Sequence, residues 1–190
     1  MTLLIAGVVL WSVVHLFPSV SPAGRTVLIA RFGEGPYKGI FSLALVASIV
    51  LIVIGWRSIV PANVYNPPLY GSPIVSALML LSFILFAAAS APGNIKRFLR
   101  HPMLTGMIVW GIAHLLANGE SRSIVLFAGL SAWALISIVT INLREGAWKE
   151  KPAAVPISKD AMTIVASIAL FALVAWGHGF VFNRPAIPGL

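Results

Sequence analysis

The chain has no cysteine. Disulfides, thiolate-held metals and cysteine nucleophiles are therefore excluded together. Charge is also scarce. Asp, Glu, Lys and Arg make up 9% of the 190 residues, against about a quarter in a soluble domain of ordinary composition. Too few polar groups remain to cover a water-facing surface. The five carboxylates, Glu34, Glu120, Glu145, Glu150 and Asp160, fall between apolar runs or at their edges. Ion-coupled transporters and proton pumps bury an Asp or Glu along their path, and none is placed for that here. Paired-carboxylate hydrolysis and carboxylate-bridged metal sites are disfavoured for the same reason.

What is abundant is apolar: 59% of residues are hydrophobic and the mean hydropathy is +0.97. A helical span takes about 20 apolar residues. The chain thus has room for five or six spans and none for a separate soluble domain. The sequence predicts an all-α, polytopic bundle forming a single integral membrane domain over 1–190, with the lipid bilayer as its main partner. Spans are expected at 2–17, 37–56, 74–91, 102–117, 123–142 and 162–180. The first and fourth are short, and a five-span arrangement would make one of them re-entrant. The first run begins at Thr2 with no basic segment before it, so it is expected to be a retained helix rather than a signal peptide. Pro73 and Pro102 suit helix starts, Asn118-Gly119 reads as a tight turn, and Ser158 as a helix cap.

A net charge of +8 raises the question of nucleic acid, but the basic residues sit in short clusters flanking apolar runs, as membrane anchors do. Arg25, Arg31, Lys38, Lys96, Arg97, Arg100, Arg144, Lys149, Lys151 and Lys159 fall on one side of the predicted bundle. Only Arg57, Arg122 and Arg184 fall on the other. The positive-inside rule then places both termini outside, which agrees with an even number of spans. No nucleic-acid partner is expected.

Histidines are the only ionisable residues well inside the predicted spans. His15 lies in the first and His114 in the fourth; His101 begins the fourth and His178 nears the end of the sixth. Intramembrane histidine marks a functional site by default, its structural alternative being a bond to a neighbouring helix. Two of the four share a local pattern: Gly7-x-x-x-Trp11-x-x-x-His15-Leu16 and Gly106-x-x-x-Trp110-x-x-x-His114-Leu115. Spacing of four aligns the three side chains on one helix face. The glycine admits a flat group or a second helix, the tryptophan supplies an aromatic wall, and the histidine supplies a lone pair, as a haem-contacting face requires. Ser19 and Asn118, one turn further on, are expected to fix the rings. At Arg100-His101-Pro102, a helix start beside basic side chains suits a propionate, phosphate or carboxylate. Ordinary membrane anchoring accounts for Lys96, Arg97 and Arg100 equally well.

The stretches Arg31-Phe-Gly-Glu-Gly-Pro-Tyr-Lys-Gly-Ile-Phe-Ser-Leu43, Ala91-Pro-Gly-Asn94, Arg100-His-Pro-Met103 and Ala113-His-Leu-Leu-Ala-Asn-Gly119 resemble the NnrU family of bacterial membrane proteins. That family is related to the 15-cis-ζ-carotene isomerases. The resemblance implies haem b held between the first and fourth spans, with His15 and His114 as ligands of the haem iron. It implies Trp11, Trp110, Arg100, His101, Asn118 and Gly106 around the cofactor, and His101 as the alternative ligand. It further implies a multi-pass protein of the bacterial inner membrane, acting as an isomerase on a hydrophobic polyene or as a factor linked to denitrification and nitric oxide, with another membrane protein as partner. The plant isomerases carry a cysteine where this chain has Gly111, so isomerase activity does not transfer automatically. Arg100-His101-Pro102 with Gly106 also resembles the S-adenosylmethionine site of isoprenylcysteine-type methyltransferases, which have a paired-glutamate helix where this chain has Glu145 alone. A non-catalytic membrane partner, with histidines used only in packing, is the third reading.

Topology complicates the histidine pair. On oppositely directed spans, the Cα atoms of His15 and His114 differ in expected depth by roughly 10–15 Å, and His101 lies nearer the depth of His15. A weak inverted repeat, spans 1–3 against 4–6, would bring both histidines towards the midplane.

Overall fold

In the computed structural model of the protein, residues 1–182 and residue 186 are described. The elements in chain order are α1 (Thr2–Val20), α2 (Pro22–Phe32), α3 (Glu34–Arg57), α4 (Pro73–Ser90), α5 (Ile95–Phe98), α6 (Pro102–Ala117), α7 (Ser121–Ser123), α8 (Gly129–Glu145) and α9 (Ile157–Phe182). A π-helical turn, Ile124–Ala128, joins α7 to α8 without a break. Among the described residues, five helices are long and apolar enough to cross a membrane: α1, α3, α4, the composite Ser121–Glu145 and α9. The sixth apolar helix is α6, with the 16 residues expected of it. Between 11% and 28% of the residues in each long span are buried by protein. Side chains such as Leu43, Val13 and Leu173 instead point outward, into what can only be lipid for helices apolar all round. This is a multi-pass membrane protein. The expected Arg184 anchor lies outside the described residues.

The helices form two compact units: Met1–Tyr65 with Gly119–Gly146, and Asn66–Asn118 with Ala147–Leu190. Each contains three of the apolar helices, α1, α3 and α7–α8 in the first, α4, α6 and α9 in the second. The units thus group spans 1, 2 and 5, and spans 3, 4 and 6. Each holds one Gly-Trp-His helix.

Small residues set the close helix approaches, as expected where lipid supplies no hydrophobic drive between helices. In the first unit Gly7 meets α3. A Cβ there would lie 2.8 Å from the Ile52 main-chain N and 2.9 Å from the Ser48 carbonyl oxygen. Gly55 of α3 abuts the main chain of Leu3 and Leu4, and Gly129 at the end of the π-turn receives Val8. In the second unit Gly106 of α6 packs on Leu85 and Phe86 of α4, and Ser82 Oγ donates to the Gly106 carbonyl at 2.9 Å. Asn94 ties the far end together. Its main-chain N–H donates to Asp160 Oδ1 at 2.7 Å and its Nδ2 to Asp160 Oδ2 at 2.6 Å, while Val155 N–H donates to its Oδ1.

Four local expectations need correction. The segment around Arg25 and Arg31, read as loop, is helical. Pro22 starts it with a preset φ and Gly33, at φ +86°, stops it. The first span runs past Phe17 to Val20 with Pro18 inside its last turn, where the Val14 carbonyl forgoes the N–H four residues on. Asn118-Gly119 is not a tight turn. Asn118 is extended, and the Gly119 carbonyl accepts from Val64 N–H at 2.9 Å and Tyr65 N–H at 3.2 Å. Glycine is required there because a Cβ would overlap the Tyr65 carbonyl. Ser158 lies within the first turn of α9, which begins at Ile157. By contrast, Pro73 and Pro102 do occupy helix starts, and Ser72 caps α4 by accepting from Ile74 N–H at 3.2 Å.

Candidate functional site: two histidine-bearing helix faces

The two Gly-Trp-His helices build the same local device. His15 Nδ1 lies 3.0 Å from the Trp11 carbonyl oxygen, and His114 Nδ1 lies 2.9 Å from that of Trp110. A carbonyl only accepts, so Nδ1 carries the proton in both rings and the lone pair sits on Nε2. Each ring also rests on its tryptophan, with centroids 4.2 Å apart for Trp11–His15 and 4.7 Å for Trp110–His114. Side chains on a helix lean towards its N-terminus, so an imidazole reaches the carbonyl four residues before it. The turn preceding each histidine thus holds its ring. Asn118 Nδ2 donates to the main-chain carbonyl of His114 at 3.0 Å.

Beyond one turn the surroundings diverge. In the first unit His15 is walled by rings. Trp133 of α8 stands 4.9 Å away edge-on and Phe41 of α3 at 6.1 Å. Trp11 and Trp133 meet at 5.7 Å and 82°, a T-shaped contact. Both indole Nε1 atoms are buried without a hydrogen-bond partner, as is the nearby Tyr37 hydroxyl. In the second unit His114 instead borders a cavity of about 90 Å³ between α4, α6 and α9. Its lining includes Met79, Phe83, Asn118, Phe171 and His178.

His101 is the N-cap residue of α6, 13 positions before His114 and hence about 20 Å along the helix. One metal cannot take both. Arg100 precedes it in a bend. The face of Gly106 is filled by Leu85 and Phe86, so of the two uses expected of that glycine the structure displays the second-helix one. Glu145 is paired with Arg144 at 2.8 Å. Trp133, Phe41 and Met79 were not singled out from the sequence. Nothing local marks them, because helix packing alone brings Trp133 and Phe41 to His15 and Met79 to the cavity that His114 lines.

A family model for NnrU protein matches residues 3–186. The chain belongs to the NnrU family. Comparison with curated proteins and with solved structures finds no match. In this NnrU chain the fit to haem can be tested on the donors. Metal-ligating histidine almost always donates its other ring N–H to a carbonyl, carboxylate or water; both His15 and His114 have that arrangement, and no cysteine competes. Among the described residues no group of three His, Asp or Glu assembles for another metal. The imidazoles therefore fit axial ligation of haem iron. The cavity of about 90 Å³ beside His114 is smaller than the roughly 300 Å³ that drug-sized ligands take, so a macrocycle on His114 requires the helices around the cavity to part.

Proposed function

We propose that this NnrU protein binds haem b in the bacterial inner membrane, with His15 and His114 as the axial-ligand candidates. The observation that carries the reading is the Nδ1–H to carbonyl bond at both rings, which commits Nε2 to the lone pair a metal needs. Haem would supply a Lewis-acidic, redox-active iron. The protein's own contribution is to hold each imidazole in one tautomer and to flank His15 with the rings of Trp11, Trp133 and Phe41. Isomerase-like action on a hydrophobic polyene, or a nitric-oxide-linked role, follows from the family resemblance. A thiolate mechanism is excluded, because position 111 is glycine.

The test is spectroscopic. Protein purified in detergent from haem-supplied cells is expected to show a Soret band and a pyridine haemochrome of the b type. His15→Ala and His114→Ala should each shift the band, and added imidazole should restore it. A colourless protein that takes up no added hemin, or a spectrum indifferent to both substitutions, overturns the proposal.

A further inference from the structure

Helix register in the second unit brings together three side chains that the haem reading does not join. Phe83 of α4 and Phe171 of α9 meet at 5.9 Å, and the two helices run in opposite directions. Each step back along α4 therefore matches a step forward along α9. Met79 comes level with Ala175, and Ser76 with His178. On the other side, Gly106 of α6 faces Leu85 and Phe86, and the same reasoning sets Met79 level with Ile112 and Ala113, one residue before His114. Met79, His114 and His178 thus fall within about one helical turn of depth, on three different helices, and all three line the one cavity.

We infer that Met79, His114 and His178 form a binding site for a soft monovalent metal ion of the Cu(I) class. The ligand set is one thioether and two imidazoles, and thioether sulfur selects Cu(I). A thioether and two imidazoles are uncharged ligand types, and among the described residues the cavity lining contains no carboxylate, lysine or arginine. A divalent ion would keep its whole charge in apolar surroundings, which is costly, and hard cations require several oxygen ligands. The space of about 90 Å³ suits an ion with a few further atoms, since one water fills roughly 10–15 Å³ on this measure. The Trp110 carbonyl holds the His114 proton on Nδ1, presenting Nε2 to the metal.

This inference goes beyond the haem proposal and shares one atom with it. His114 Nε2 binds a single metal, so Cu(I) there and haem iron there are alternative states. The full-length, haem-free protein in detergent is titrated anaerobically with Cu(I) against the chromophoric chelator bathocuproine disulfonate. One Cu(I) per chain is expected, and Zn²⁺ should not be retained through gel filtration. His178→Ala and Met79→Leu should each weaken Cu(I) retention about tenfold or more; the leucine conserves volume and guards against misfolding. Failure to compete with the chelator, undiminished binding in both variants, or equal retention of Zn²⁺ would sink the assignment. The two proposals fail separately. Met79→Leu and His178→Ala leave the Soret band of haem-loaded protein in place, whereas His15→Ala leaves Cu(I) retention intact.

Discussion

In α1 and α6 an imidazole donates Nδ1–H to the carbonyl one turn earlier and lies against a tryptophan. Around His15 the next shell is aromatic: Trp133 and Phe41 pack edge-on against the half-buried ring, and two indole N–H groups are buried beside it without hydrogen bonds among the described residues. Around His114 the next shell is partly hollow and carries a thioether and a second imidazole. The local motif sets the tautomer, because that depends only on one turn of helix. What Nε2 can meet depends on which helices pack against that turn. Two copies of one motif in one chain therefore do not imply two copies of one site.

The sharpest way to break this contrast is to remove a wall on each side. Trp133 is 8% exposed, and truncating a buried aromatic costs about 3–5 kcal/mol. Trp133→Ala should cost that much in thermal unfolding of the detergent-solubilised protein. His178→Ala enlarges an existing cavity and loses less packing, so its cost should stay within about 1 kcal/mol. Equal costs would mean that the ring cluster is no better packed than the cavity wall, and the distinction would fall.

The glycines of the two motifs give a smaller but cleaner comparison. Both substitutions to alanine gain up to about 1 kcal/mol in helix propensity. At Gly7 the new Cβ would meet main-chain atoms of Ile52 and Ser48 at 2.8 and 2.9 Å. Neither can yield without moving α3, and overpacking of that kind costs about 1–3 kcal/mol. At Gly106 the nearest atoms are the Phe86 ring at 3.0 Å and Leu85 Cβ at 3.2 Å, and the Phe86 ring can turn by the few tenths of an ångström needed. Gly7→Ala is expected to lower the melting temperature, and Gly106→Ala to leave it nearly unchanged. The reverse order would show that α4 is the more rigid neighbour.

The sequence was informative wherever one segment decides the outcome. Apolar runs located the spans, Pro73 and Pro102 fixed two helix starts, and the 16-residue length of α6 followed from the distance between Pro102 and Asn118. The Gly-Trp-His spacing correctly put each tryptophan beside its histidine. The helix α2 escaped notice because its residues have no apolar face; none of them is buried, and only Pro22 and Gly33 mark its ends. The π-turn at Ile124–Ala128 is a shift in backbone hydrogen bonding with no compositional signature. Trp133 against His15, and Met79 and His178 around the cavity, arise from packing between segments far apart in the chain. Gly106 was open to two uses on local grounds, and only the position of α4 decides between them.

The last comparison concerns what holds the rings and predicts almost no change. If the carbonyl one turn earlier fixes each imidazole, the serine one turn later is dispensable. Ser19→Ala should then alter stability by no more than about 0.5 kcal/mol. The ¹⁵N spectrum of histidine-labelled protein should report a protonated Nδ1 and an unprotonated Nε2 for both His15 and His114, in the parent and in Ser19→Ala alike. Such a result places the proton by the helix itself, since the 3.0 and 2.9 Å bonds to Trp11 and Trp110 survive any change at position 19. A protonated Nε2 at either ring would contradict the donor assignment. At His15 it would undercut the haem proposal alone; at His114 it would undercut the Cu(I) site as well, because both need the lone pair on that nitrogen.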